Sequence, residues 1–399
     1  MSSSPPDVPL HDLARLEHLD RSRLTLFVCG PGQGEAVLVA LPGRGWLVLD
    51  GAGVGQTFPA HSVLDRFRAH EEPIDAVLLT HPHRDHYRGF VELLDHATHG
   101  PFIESVGCLC LYFADRSKSS AELEIAALEG TVDPDNSLHH LGGGARKVLE
   151  RIRDEWERRP SGVLALFSGP GGRVTTGAAS VRVLAPDVEG AAAFFRESGL
   201  ASRIGPRAND LSAVVEVLFG DTRLVLGGDL PELHGSGSSG SPVATGWRRV
   251  CAQHGPQTDH TGAKIPHHGS REALADCLVL PVDHARAWVV SPYNADPKLP
   301  SFEPGDGVDV LLAAEPELHL TAMPRRWKAQ SPLAPRTARA GVVGAAVPGV
   351  TLPPGFSPAT PAGNPPNLVA EDCVWALVFD DAGALLERYR GRGSTLVER

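Results

Sequence analysis

No stretch of 18 apolar residues occurs in this 399-residue chain, so no membrane-spanning helix is expected. The opening MSSSPPDVPLHDLARLEHLD lacks a basic start followed by an apolar run, and no signal peptide is expected. Cysteine is sparse: Cys29, Cys108, Cys110, Cys251, Cys277 and Cys373 are scattered, and only Cys108 and Cys110 stand close together. Alternation along a strand accounts for that pair, and the pattern fits a reduced, cytoplasmic protein. Positive charge is in deficit, with a net charge of −11. That argues against a surface that grips nucleic acid over its whole extent, while leaving room for a local basic groove. No internal repeat is evident.

What is present is a foldable core, with 42% hydrophobic residues, and many turns, with 43 glycines and 34 prolines. Residues 1–21 read as a loose lead-in with a short helix. Apolar runs at 24–30, 35–41, 45–51 and 74–80 read as strands, with a turn at Pro42-Gly43. The spacing at 58–70 and 90–98 predicts helices. A second batch of strands follows at 180–187, 212–220, 222–230, 286–292 and 317–323, the last of the set, with a tight turn at Gly220-Asp221. Two batches of strands with helices interspersed predict an α+β chain, an αββα sandwich of two mixed sheets flanked by helices. Residues 113–160 read as a charged helical insertion, a lid or cap, and 234–242 as a flexible loop. The domain is expected to span 22–323, followed by a Pro/Gly-rich extension at 324–399 that ends in a β-hairpin turning at Asp380–Gly383.

The chemistry concentrates in AVLLTHPHRDHYRGF, residues 76–90. In an extended segment residues i and i+2 point the same way, so His81 and His83 can present two imidazoles to one metal. Asp85 and His86 follow as the chain turns into a helix and can reach a second metal. Imidazole with carboxylate suits Zn²⁺, Mn²⁺ or iron. Later, Asp229 in LVLGGDLPE and His267 and His268 in KIPHHGSRE each sit just past an apolar strand, where ligand loops gather.

These residues resemble the metallo-β-lactamase fold superfamily. The resemblance rests on His-x-His-x-Asp-His at 81–86, on Asp50 in VLDGAG, on Asp229 in GGDL and on HHGS. The stretch from NDLSAVVEVLFGDTRLVLGGDL to KIPHHGS looks most like the hydrolase domain of ComEC-type DNA-uptake proteins and their stand-alone soluble relatives. The resemblance covers roughly 22–323 and implies a dinuclear metal site between the sheets. One departure is that Asn209 or Asp210 stands where the superfamily usually has a third histidine, as in the ComEC-like branch. The first metal is then expected to take His81, His83 and Asp229, which makes Mn²⁺ a fitting alternative to Zn²⁺. The second is expected to take Asp85, His86, Asp229 and one of His267 and His268, with His267 favoured because it leaves the strand first.

Two such ions can activate water and stabilise charge on substrate oxygens without a protein nucleophile. Asp85, Asp229, His267 and His268 are the residues expected to carry that catalysis. Asp50 is read as orienting a ligand histidine, or as a turn aspartate before Gly51. Lys264, Ser270 and Tyr87 are candidates for touching substrate, with Arg88 beside them. His139 and His140 belong to the insertion, and His254 and His260 read as surface residues. Five positive charges between Arg325 and Arg339 could guide a phosphate backbone. The expected function is hydrolysis of phosphodiester bonds in nucleic acid or a nucleotide. A small-molecule ester, lactone or thioester hydrolase is the alternative, and a non-catalytic binding module or an iron redox protein stands behind both. A protein partner of the C-terminal extension is also an expectation.

Overall fold

The apolar runs become strands that are covered on both faces. In the computed structural model the described residues are 8–32, 34–43, 45–53, 58–98, 103, 106–108, 142–158, 173–187, 208–232, 246–294, 298–322 and 370–398. Strands are numbered along the chain. Along β3 (Ala36–Leu41), Ala36, Leu38 and Ala40 face one apolar cluster while Val37, Val39 and Leu41 face another. β2 (Leu24–Cys29) and β14 (Val374–Phe379) divide in the same way, with Trp375, Leu377 and Phe379 on the inner side. A strand buried on both faces needs such an unbroken apolar run.

The first sheet runs in the order β1 (Leu10–Asp12), β15 (Leu385–Arg390), β14, β2, β3, β4 (Gly45–Leu49), β5 (Ala76–Leu79), β6 (Val106–Cys108). The second runs β16 (Thr395–Glu398), β13 (Glu317–Leu320), β12 (Ala287–Val290), β11 (Gly262–Lys264), β10 (Thr222–Gly227), β9 (Val214–Phe219), β8 (Ala179–Ala185), β7 (Arg173–Thr176). Both are mixed: β4, β5 and β6 are parallel, as are β10 to β13, and the hairpins around them are antiparallel. Side chains of both sheets interleave between them, among them Leu26, Val39, Leu78, Val215, Leu226 and Val289. Helices α1 (Pro59–Phe67), α3 (Phe90–Thr98) and α4 (Gly142–Arg158) cover the outside of the first sheet with Val63, Leu64, Leu93, Leu149 and Ile152. Helices α5 (Trp247–His254), α6 (Asp276–Val279) and α7 (Gly307–Ala314) cover the second with Trp247, Val250, Leu278 and Leu311. The fold is therefore α+β, an αββα sandwich.

Several expectations need correction. The terminal hairpin is not an extension beyond residue 323, because β14 pairs with β2 inside the first sheet and β16 pairs with β13 at the edge of the second. A fully apolar strand such as VWALVF can only be satisfied between two others, which is why it enters the sheet. The lead-in likewise supplies β1, paired with β15, and 317–323 is not the last strand. Within the insertion, α4 packs Val148, Leu149 and Ile152 into the core instead of capping the molecule. The rest of 113–141, with His139 and His140, the loop 234–242 and the basic and Pro-rich segment 324–369 lie outside the described residues. Cys251 and Cys277 are not a reduced pair: they are joined by a disulfide, their Cα atoms 6.4 Å apart. They stand on α5 and α6, two helices that only the tertiary packing brings together. Among the described residues, no helix is long and apolar enough to cross a membrane.

His260 is not a surface residue either. It is fully buried, accepting from Trp288 Nε1 at 2.7 Å, and its Nδ1 faces Gln257 O at 2.5 Å. Burial pushes its pKa down to about 3, and burial likewise holds His319 at about 3. A histidine depressed in the native state keeps its full contribution above its unfolded pKa and loses it as the pH falls towards the folded value. Stability of the metal-stripped protein is therefore expected to drop by about 2 kcal/mol per histidine between pH 7 and pH 5. Urea unfolding at the two pH values measures it, and equal stabilities would contradict the assignment.

Candidate metal centre

The ligand loops leave the C-terminal ends of β4, β5, β10, β11 and β12, so the two parallel strand sets deliver their side chains to one edge of the sandwich. After β5, Thr80 to His83 stay extended, and α2 (Arg84–Tyr87) then turns Asp85 and His86 inward. The β4 loop is drawn against α2 by Gly51 N–H donating to His86 O at 2.8 Å and Gly53 N–H to Arg88 O at 2.7 Å. A Cβ at Gly51 would lie 2.6 Å from Arg88 O, so only glycine permits this approach. Across the cleft, Gly228 allows Ser212 to come close enough for its Oγ to accept from Asp229 N–H at 2.6 Å.

Two groups of donors result. His81, His83 and Asp229 form one, and Glu35, His86, Asp229 and His268 the other, with the donor atoms of each within 4.8 Å of one another. Asp229 belongs to both: its Oδ2 lies 3.3 Å from His86 Nε2, 3.8 Å from His81 Nε2 and 3.8 Å from His268 Nε2. Asp85 Oδ2 adds to the second group, 3.0 Å from His268 Nε2 and 3.6 Å from His86 Nε2.

The hydrogen bonds behind the rings decide which nitrogen faces inward. His86 Nδ1 meets Asp50 Oδ2 at 2.7 Å, and Asp50 also accepts from Thr80 N–H at 2.8 Å and from the Thr80 hydroxyl at 2.8 Å. His268 Nδ1 faces Ser291 O at 2.8 Å, and His81 Nδ1 faces the Thr80 and Ser212 hydroxyls at 3.1 Å each. Asp50 is held at a φ of 63°, a left-handed conformation that costs energy away from glycine and is tolerated here by this network.

Burial pushes the His81 imidazole well below the ordinary histidine value, with His86 and His83 adding to the effect. His83 and His267 are also lowered by burial. Burial opposes a charged His86 too, but Asp229, Asp85, Asp50 and Glu35 outweigh it and raise its pKa; His268 is raised in the same manner by Asp229 and Asp85. For Asp229, burial is overcome by His86, His268 and His267, which hold its carboxyl well below the usual range. Asp85 is lowered against burial by His86 and His268.

The donor set fits divalent cations. His81 Nε2, His86 Nε2, Asp229 Oδ1 and Glu35 Oε2 are buried without a hydrogen-bond partner. Each such atom costs about 1–3 kcal/mol, and four of them converging on one cleft is an arrangement that bound cations would satisfy. The mix of imidazole and carboxylate suits Zn²⁺ or Mn²⁺.

The structure places other candidates elsewhere. His268 enters the second group, whereas His267 is half-buried with its Nε2 3.5 Å from Asn209 Nδ2. Both residues have positive φ, 46° and 52°, so strand alternation does not carry past β11, and His267, though close enough to act on the charge of Asp229, joins neither donor group. Lys264 is buried, ion-paired with Glu35, and reaches Gly228 O at 3.3 Å. Tyr87 packs in the core beneath α2, and Arg88 caps that helix. Ser270 is buried in a turn where its N–H donates to His267 O at 2.8 Å. Asp210 is buried beside Asp187 and Arg249 and joins neither donor group. His254 is half-buried at the end of α5.

Glu35 was invisible to motif reading. It opens an ordinary-looking strand, and its only signal is a carboxylate directly before the apolar run AVLVAL. The assignment of His268 is testable. His268→Ala is expected to bind one metal equivalent fewer per chain, while His267→Ala keeps the full complement, as read by elemental analysis after dialysis. The reverse result would restore His267 as the ligand.

Residues 29–108 match the family model of the metallo-beta-lactamase superfamily. No curated protein sequence matches the chain. Among solved structures, the chain is similar to a motif mutant of a metallo-beta-lactamase from Cronobacter sakazakii, with 15% identity and a TM-score of 0.27 over 52% of this chain and 62% of that one. The chain thus spans less than two thirds of that protein's length. It is also similar to MEM-A1, a subclass B3 metallo-beta-lactamase from a soil metagenome library, at 13% identity and a TM-score of 0.29 over 61% of this chain and 76% of that one. An archaeal metallo-beta-lactamase superfamily protein from Sulfolobus tokodaii is similar at 14% identity and a TM-score of 0.28, over 58% of this chain and 73% of that one.

Proposed function

We propose that this chain, whose αββα sandwich matches the metallo-beta-lactamase fold, is a dinuclear-metal hydrolase that cleaves phosphodiester bonds in nucleic acid or nucleotides. The observation that carries the hydrolase reading is the convergence of His81, His83, Asp85, His86, Asp229 and His268, with buried donor atoms left without partners. His81, His83 and Asp229 would hold one cation and Asp85, His86, Asp229 and His268 the other. Divalent cations bound there would supply Lewis acidity and activate water for attack at neutral pH.

The protein's own groups do the rest. Asp50 and Ser291 O fix the rings of His86 and His268 from behind, so that each Nε2 points into the cleft. Asp85 stands half-buried at the edge of the group, where its ionised oxygen can accept a proton from an incoming nucleophile. Arg84, exposed on the same turn, offers a positive charge to a phosphate oxygen. The phosphodiester preference is supported by the resemblance of NDLSAVVEVLFGDTRLVLGGDL and KIPHHGS to the ComEC-type branch.

The test is hydrolysis of bis-p-nitrophenyl phosphate and of single- and double-stranded DNA and RNA with added Mn²⁺ or Zn²⁺, beside Asp85→Ala. Cleavage by the wild type that is lost in the variant is the expected result. Two bound metals with hydrolysis of a lactone or thioester and of no phosphodiester would replace the substrate class, and the absence of bound metal would overturn the whole reading.

A further inference from the structure

The segment that leaves β12, Ser291 to Asn294, holds His268 from two directions. Ser291 O faces its Nδ1 at 2.8 Å, and the Tyr293 ring lies stacked on the imidazole, with centroids 5.2 Å apart and 26° between the planes. The backbone fixes that ring. Tyr293 N–H donates to Leu299 O at 2.8 Å, and Tyr293 O accepts from Leu299 N–H at 2.9 Å. Next to it, Asn294 N–H donates to Gly32 O at 2.7 Å, which ties the segment to the turn between β2 and β3. Gly32, at a φ of 88°, allows this approach, since a Cβ there would fall 2.1 Å from Asn294 Nδ2. A side chain held in this way loses little further freedom when a ligand arrives.

The ring is held, but its hydroxyl is free. Among the described residues the hydroxyl has no hydrogen-bond partner, and it is not sealed away: Tyr293 is half-buried, and its oxygen is not one of the buried side-chain atoms left without a partner. Burial raises the phenol's pKa, and the charged groups that act on it are Asp85, Asp229, Arg84 and His86, so it stands at the cleft shared by both donor groups. Arg84 is exposed one position before Asp85 and, among the described residues, makes no ion pair. An accessible hydroxyl donor and an unpaired cation, both beside the metal ligands, complement an oxygen that carries negative charge.

We propose that Tyr293 is a catalytic residue of this centre, its hydroxyl donating a hydrogen bond to a non-bridging oxygen of the scissile phosphodiester, beside Arg84. This role rests on the phosphodiester reading above. A fixed donor strengthens as charge grows on the oxygen it faces, and in a partly dry cleft that difference appears in the chemical step rather than in substrate binding.

Steady-state hydrolysis of bis-p-nitrophenyl phosphate by the Mn²⁺-loaded full chain tests it, in the wild type, Tyr293→Phe and Tyr293→Ala, with metal content measured on each. Tyr293→Phe keeps the ring on His268 and removes only the hydroxyl. It is expected to hold as much metal as the wild type and to lower kcat about a hundredfold while KM changes little. Tyr293→Ala also strips the ring from His268, and is expected to lose the same factor in kcat together with some affinity for metal. If the ring only supported His268, Tyr293→Phe would match the wild type; that result would overturn the role of the hydroxyl and leave the hydrolase reading standing. A fall in kcat that merely follows a loss of metal from Tyr293→Phe would overturn it as well. A wild type that binds metal but cleaves neither this ester nor DNA or RNA would remove the phosphodiester reading, and the role of Tyr293 with it.

Discussion

If the proposed function holds, Asp229→Asn is expected to lose metal binding at both donor groups and to lower the proposed phosphodiester hydrolysis on the order of a thousandfold, equivalent to about 4 kcal/mol of transition-state stabilisation. Asp229 is the one carboxylate common to both donor groups, with Oδ2 within 3.8 Å of three imidazole nitrogens and Oδ1 without a partner. Asparagine keeps the shape and the backbone N–H contact with Ser212, but it removes the charge and turns one ligand atom into a donor. The imidazoles that now hold this carboxyl ionised would face a neutral amide, and two cations would meet with one negative charge fewer between them. Metal content per chain and hydrolysis of bis-p-nitrophenyl phosphate are the two readouts. A variant that retained two metals per chain would show that Asp229 does not join the sites.

Lys264→Ala is expected to destabilise the protein by about 3–5 kcal/mol, because it leaves Glu35 buried and unpaired. Lys264 and Glu35 are both buried in the floor of the centre, one at the end of β11 and the other at the start of β3, and their ion pair ties the two sheets together. Burial already raises the Glu35 pKa, and Lys264 is the largest influence opposing that rise. Without the ammonium, Glu35 would take up a proton at neutral pH, and its hold on His86 and His268, 3.7 and 3.5 Å away, would weaken. The double variant Lys264→Met, Glu35→Leu is expected to recover most of the lost stability, since apolar groups of similar volume replace buried ion pairs at little cost. Urea unfolding of the three proteins decides the matter. A single variant as stable as the wild type would mean that water or another cation satisfies Glu35.

Much of the molecule can be read along the chain because its signals are local. The largely apolar runs ending in glycine, proline or aspartate give β2 to β5 and β8 to β10 close to their observed bounds, since a strand buried on both faces is mostly apolar and its charged exceptions, Arg182, Glu216 and Arg223, pair with one another. The cluster from His81 to His86 is equally local: an extended pair of histidines followed by the first turn of a helix presents four donors whatever the rest of the chain does. Asp229 stands out for the same reason, as a lone carboxylate at the mouth of an apolar strand.

What the sequence could not decide depends on residues far apart in it. Val374–Phe379 had to find β2 before it could be recognised as a central strand rather than an appended hairpin, because partner choice is a property of the sheet and not of the segment. Glu35 and Lys264 stand 229 positions apart, and neither looks unusual until the sandwich closes and removes both from water. His268 displaces His267 because two successive left-handed residues break the alternation on which any reading by strand parity rests. Sequence by itself determined which donor residues stand at the ends of which strands; only the tertiary structure decided which of them meet, because the cost of leaving a buried polar group unpartnered is set by what closes over it.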